Sequence, residues 1–151
     1  MNDEKLFGQG TIVISTDGGA RGNPGPAAIG VTIGNKKYGE RIGETTNNVA
    51  EYKALLFALK KAKQLLGKKQ AKETMLHIRT DSELMYKQLM GEYKILEPEL
   101  QTIFIEIWNL KQDFKRVEFK KIPREENKEA DKMVNAALDG NIREERNEGL
   151  F

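Results

Sequence analysis

The spacing of apolar residues changes several times along the chain, and each change marks an element. Ile12, Val13 and Ile14 form a β-branched run, the pattern of a buried strand over residues 11–17. Residues 27–33 give a second apolar stretch and residues 37–43 a third. Only Gly34, Asn35 and Lys36 separate them, so the first three strands are expected as an antiparallel meander. The period then becomes helical in TTNNVAEYKALLFALKKAKQLLG. Ala50, Ala54, Leu55, Ala58, Ala62 and Leu65 share one face, and Gly67 marks the end. Residues 74–80 alternate again as a fourth strand, and residues 82–90 read as a helix stopping at Gly91. Pro98 sits where the first turn of another helix accepts proline, ahead of a stripe of Leu100, Ile103, Ile107 and Leu110. Residues 117–122 form a fifth strand. PREENKEADKMVNAALDG is expected as one closing helix, with Ala130, Met133, Val134, Ala137 and Leu138 at i, i+3, i+4, i+7 and i+8. Met85, Leu89 and Met90 read as packing residues, and Trp108 fits core or surface.

The order β-β-β-α-β-α-α-β-α describes an α/β domain, a mixed sheet with helices on its faces. A helical crossover leads to the fourth strand, which can therefore lie parallel to the first. Asp17 and Asp81 would then end neighbouring strands at one edge, where open sheets bind ligands. Glu51 tilts toward the core side of the first helix, and Asp131 flanks the apolar stripe of the last. Each acid also has a plainer reading. Asp17 opens a turn before Gly18, Gly19, Gly22 and Gly25, Asn48 with Glu51 makes a capping box, and Asp131 is a surface aspartate.

Composition narrows the chemistry. The 151 residues suit one domain over residues 11–140, with a flexible tail at 1–10 and a charged tail at 141–151. No apolar run is long enough to span a bilayer and no signal peptide is evident, so a cytoplasmic protein without membrane association is expected. The absence of cysteine excludes disulfides and thiolate zinc sites. Net charge is only +2, but lysines cluster at 60–72 and basic residues at 111–124, either as solvated faces or as nucleic-acid contacts. The sole histidine, His77, falls inside the fourth strand and reads as structural. The glycine-rich DGGARGNPG is not followed by Gly-Lys-Ser/Thr, which argues against a P-loop. Four ionised carboxylates at one edge need counter-charge. Oxygen-only ligands favour Mg²⁺ or Mn²⁺, and two such ions roughly 3.5–4 Å apart can act on a phosphodiester.

The segments TDGGARGNPGPAAIGV, TTNNVAEYKAL and IRTDS, with IPREENKEAD ahead of VNAALD, together resemble the type 1 ribonuclease H family in order and spacing, from about residue 11 to residue 138. The resemblance implies a ribonuclease H-like mixed five-stranded sheet, three strands antiparallel and two added parallel, flanked by helices on both faces. It implies endonucleolytic cleavage of the RNA strand of RNA–DNA hybrids, leaving 5′-phosphate and 3′-hydroxyl ends. Asp17, Glu51, Asp81 and Asp131 would hold two Mg²⁺ ions, with Mn²⁺ a possible substitute. Asn23, Asn47 and Asn48 would read the RNA sugar edge, and Thr46 would touch a DNA phosphate. The amides suit a 2′-hydroxyl, which both donates and accepts. A monomer is expected, and double-stranded RNA stays open as a second substrate.

Two departures qualify the resemblance. Many members carry a histidine upstream of the last acid, whose place falls here at Lys121; Arg124 is the expected stand-in, acting electrostatically because a guanidinium cannot serve as a base. The basic, tryptophan-bearing protrusion of some bacterial members is replaced by GEYKILEP. Two rivals stand beside the nuclease: a binding module that kept the fold without chemistry, and a DNA-acting relative of the integrase or resolvase type.

Overall fold

A computed structural model describes residues 10–140. Residues 1–9 and 141–151, which hold the expected tails, lie outside the described residues. Strands β1 (Thr11–Ala20), β2 (Gly25–Ile33), β3 (Lys36–Thr45), β4 (Met75–Thr80) and β5 (Arg116–Lys121) form one sheet in the order β3-β2-β1-β4-β5. The first three strands pair antiparallel, while β4 lies parallel to β1 and β5 parallel to β4. This is the mixed sheet the sequence led us to expect. The helical elements are α1 (Asn47–Leu66), α2 (Lys68–Ala71), α3 (Glu83–Leu89), α4 (Pro98–Lys111) and α5 (Lys128–Leu138), with a 3₁₀ turn at Arg124–Glu126.

Alternation along the strands sorts the two faces. Ile12, Ile14, Ile29, Val31, Ile33, Leu76 and Ile78 enter the main core with α1. On the opposite face, Ala28 packs with Val134 and Ala137 of α5. The expected single apolar face of α1 proves too narrow, because residues 54–59 are all buried. Tyr52, Phe57 and Leu59 have no exposed surface, whereas Leu65 is only half-buried. The helix is covered by the sheet on one side and by α4 on the other, where Leu100, Ile103 and Ile107 are buried. A helix between two layers has no need of a polar face, so periodicity understates its burial.

Several boundaries differ for local reasons. β1 runs three residues past Asp17, because Gly18, Gly19 and Ala20 pair with Ile29, Ala28 and Ala27; the expected loop shrinks to residues 21–24. The N-cap of α1 is Thr46, whose Oγ1 accepts from Val49 N at 3.2 Å, so the Asn48–Glu51 capping box does not form. The expected closing helix divides. Pro123 is extended (φ −63°, ψ 152°), residues 124–126 make the 3₁₀ turn, and Asn127 (φ −113°, ψ 32°) breaks the helical run before α5. Met90 ends α3 and is 43% exposed, and Trp108 lies on the outer face of α4 at 54% exposure. His77 is half-buried on β4, between Val13 of β1 and Glu118 of β5.

Candidate active site

Parallel pairing of β1 with β4 ends at Thr16 and Thr80, so Asp17 and Asp81 follow directly where the two strands part. Two close helix approaches then bring in the other acids. Gly18 lies so near α1 that a Cβ there would stand 2.3 Å from the Ala50 carbonyl carbon; Glu51 is the next residue. Gly30 is the β2 partner of Asp17, and a Cβ on it would lie 2.0 Å from the Ala130 oxygen; Asp131 is the next residue. Two glycines on opposite faces of the sheet thus let a helix down on each side of Asp17.

Asp17, Glu51 and Asp81 each present a carboxylate oxygen, all within 4.8 Å of one another. The backbone N–H of Gly18 donates to Asp17 Oδ1 at 3.0 Å and also to Glu51 Oε1. Asp131 borders the same cleft without joining that close trio. The electrostatic consequence falls on the buried pair. Burial, with the charges of Asp81 and Asp131 added, pushes Asp17 up to about 7. Glu51 is raised well above the ordinary carboxylate range, chiefly by burial and then by the charges of Asp17 and Asp81; the Gly18 N–H opposes this only in part. Oxygen-only donors, partly buried and mutually repelling, suit a hard divalent cation, so the residues fit such an ion.

The cleft over these acids has a volume of about 520 Å³ and is also lined by Arg21, Asn47, Asn48, Arg124 and Asn135. Asn47 Oδ1 accepts from Ala20 N at 2.8 Å, and Asn23 Oδ1 accepts from Asn47 N at 3.0 Å. Asn47 and Asn48 line the cleft, whereas Asn23 and Thr46 are not among its lining residues; Asn23 braces the 21–24 loop against α1 and Thr46 caps that helix. Arg124 is 83% exposed at the rim, its Nη2 3.9 Å from Asp131 Oδ1. Lys121, at the place of the missing histidine, is exposed at the end of β5 and is not among the cleft-lining residues.

Asn127 carries no role in the sequence reading. It is 1% exposed, and its Nδ2 donates to the Thr16 carbonyl at 2.9 Å and to Asp81 Oδ2 at 3.2 Å. Asparagine ahead of a helix signals an N-cap, but this side chain makes no cap hydrogen bond to α5. Local sequence therefore marks the residue while pointing to the wrong partner. Gly30 is missed likewise, since nothing nearby in sequence shows what will cross over it.

Comparison with known proteins places this geometry in a family. The family model described as reverse transcriptase-like matches residues 15–137. The structure of LC11-RNase H1 in complex with an RNA/DNA hybrid is 46% identical, with a TM-score of 0.80, covering 85% of this chain and 97% of that one. RNase H1 from the halophilic archaeon Halobacterium salinarum is 35% identical, with a TM-score of 0.79, over 87% of this chain and 99% of that one. The bifunctional protein Rv2228c of Mycobacterium tuberculosis is 36% identical over 135 residues, 85% of this chain but 35% of its own length. The chain thus spans about a third of that longer curated relative. With the family model matching most of its length and the same five-stranded sheet in its structural neighbours, the chain belongs to the reverse transcriptase-like family, among the type 1 ribonucleases H.

Proposed function

We propose that this chain is a metal-dependent endoribonuclease that hydrolyses the RNA strand of RNA–DNA hybrids, leaving 5′-phosphate and 3′-hydroxyl ends. The observation that carries this reading is the convergence of Asp17, Glu51 and Asp81 within 4.8 Å, in a cleft that Asp131 borders. A structural neighbour solved with an RNA/DNA hybrid supports the substrate class. Asp17, Glu51, Asp81 and Asp131 would hold two divalent ions, Mg²⁺ or Mn²⁺. Bound there, the ions supply charge neutralisation for a phosphodiester and acidify the attacking water.

The remaining work falls to the chain's own groups. The Gly18 N–H orients Asp17 and Glu51 together, holding both carboxylates toward the cleft. Asn47 has its Oδ1 engaged by Ala20, so it offers Nδ2 protons to the RNA sugar; Asn48 lines the same wall. Asn23, whose Oδ1 is likewise engaged, would offer its Nδ2 protons to the RNA sugar edge from the loop it braces. Thr46 accepts from Val49 N and keeps its hydroxyl proton for a DNA phosphate oxygen. Arg124 sits at the exposed rim, where its fixed positive charge would meet the departing phosphate; it would neither take nor give a proton.

Asp17→Asn and Asp81→Asn are expected to abolish hybrid cleavage while hybrid binding stays measurable. Undiminished turnover in either variant would refute the assignment. A panel of hybrid, duplex RNA and duplex DNA, incubated with Mg²⁺ or Mn²⁺ and run on a denaturing gel, tests the substrate class. End-labelled products test which fragment keeps the phosphate. Cleavage of duplex DNA without preference for ribonucleotides would overturn the hybrid-specific reading.

A further inference from the structure

Asn127 sits where three separate elements of the acid cluster meet. One Nδ2 proton goes to the carbonyl of Thr16, the residue before Asp17 on β1. The other goes to Oδ2 of Asp81, which follows β4. The Asn127 carbonyl accepts from Asp131 N at 3.1 Å, closing the first turn of α5. The amide orientation is fixed by its surroundings: reversed, it would turn Oδ1 toward a carbonyl and a carboxylate, three acceptors together.

We propose that Asn127 is a positioning residue for the metal site: its Nδ2–H fixes Asp81 Oδ2, so that the carboxylate presents Oδ1 to the cation. This rests on the proposed reading only in taking Asp81 as a metal ligand. The choice of a neutral donor is the physical core of the inference. Lysine or arginine at this place would orient Asp81 equally well but would cancel its charge and compete with the cation. An amide orients the carboxylate and leaves the negative charge for the metal. Partners of this kind, one shell out from the ion, typically change metal affinity by about 10- to 100-fold when removed. The donor is well placed to hold this bond, since Asn127 is itself buried and its amide is anchored at the same time on the Thr16 carbonyl.

The test separates positioning from simple anchoring of α5. Mn²⁺ binding to the full chain is measured by calorimetry, alongside thermal unfolding of the metal-free protein. Asn127→Ala is expected to weaken Mn²⁺ binding by about tenfold or more under conditions where the variant is fully folded. A merely structural anchor would lower the unfolding temperature but leave the Mn²⁺ dissociation constant of the folded protein within about twofold, and that result overturns the proposal. Should Asn127→Ala fail to fold, the unaltered chain supplies the answer by NMR of ¹⁵N-labelled protein. The Asn127 side-chain amide signals are expected to shift as Mg²⁺ binds, while those of Asn35, in the turn between β2 and β3, stay in place. In Asp81→Ala that response should vanish. An Asn127 signal indifferent to Mg²⁺ overturns the inference. If the parent chain binds Mn²⁺ with the expected Asn127 dependence yet leaves hybrids intact, the nuclease reading fails and this inference stands. A parent chain that cleaves hybrids but shows no Asn127 dependence reverses that outcome.

Discussion

Asp17 and Glu51 hold their protons more tightly in the folded chain than they would in an unfolded one, where carboxylates titrate near about 4. For an acid raised on folding, the native state binds the extra proton. The stabilising contribution is therefore full below the unfolded pKa and is lost as pH rises through the folded value, here about 7 for Asp17. The metal-free protein should accordingly lose unfolding temperature between about pH 5 and pH 8, and lose more of it than Asp17→Asn, in which position 17 no longer titrates although Glu51 still does. Added Mg²⁺ should reduce that loss, most at the upper end, because the cation binds the ionised form. Thermal melts across pH, with and without Mg²⁺, check both statements; a parent chain that gains more stability than Asp17→Asn over this range would contradict them. These acids could be picked out in the sequence because each stands inside a recognisable segment. Their mutual distances could not, and neither could the true cap of α1. Asn48 followed by Glu51 spells a capping box, yet Thr46 caps the helix and Glu51 accepts from Gly18 instead.

Among the elements, the close crossings carry most of the structural information. α5 rests on β2 at Gly30, and α1 rests on β1 at Gly18. Gly30→Ala would force a Cβ against the Ala130 carbonyl at 2.0 Å, against backbone that cannot rotate aside. We expect a cost of about 3 kcal/mol in urea unfolding, together with loss of hybrid cleavage as Asp131 moves away from Asp17. Gly43, by contrast, has open space around its Cβ direction, but its φ of +83° makes any substitution a matter of backbone strain rather than collision. A second junction ties α1 to α3 and to the segment that stands in place of a basic protrusion. The Tyr52 hydroxyl donates to Gln88 Oε1 at 2.5 Å, and Gln88 Nε2 donates to the Lys94 carbonyl at 3.0 Å. Gln88→Ala strands a buried tyrosine hydroxyl and should cost about 1–3 kcal/mol by chemical denaturation. Helical period and proline placement announced α4 well in advance. The division of the closing helix was not announced, because Asn127 leaves the helical run to reach β1 and Asp81, partners more than forty residues away.

Across the molecule, charge is distributed less simply than the lysine clusters suggest. Lys60 pairs with Glu106 at 3.5 Å and Lys63 with Asp113 at 2.9 Å, so these members of the first cluster tie α1 to α4 and the turn that follows it. At the cleft, Arg21 pairs with Asp139 at 2.7 Å, and Arg124 stands at the rim. Such exposed pairs contribute little stability, but they exchange readily for phosphate contacts. If the chain grips hybrids as proposed, its affinity should fall steeply with ionic strength, linearly in log–log form, with a slope set by the phosphates neutralised. Arg124→Ala should flatten that slope measurably. Filter-binding or anisotropy titrations over a salt series would decide, and a salt-independent affinity would count against the proposed substrate. No helix among the described residues is long and apolar enough to cross a membrane.

Apolar spacing and turn chemistry missed the short helix Lys68–Ala71 but were sufficient to expect the five strands, the antiparallel meander and the longer helices, and to allow a parallel fourth strand. Those features follow from local period and from the short reach of connecting loops, which one chain read in order already contains. Four scattered acids were nameable for a different reason: the segments that hold them resemble the ribonuclease H family. Their assembly was not, because it depends on where two helices land on the sheet, and that is fixed by missing side chains at Gly18 and Gly30 and by one buried amide at Asn127. Close packing between segments distant in sequence leaves no mark on the residues beside it, so the shape of the acidic cleft had to come from the folded chain.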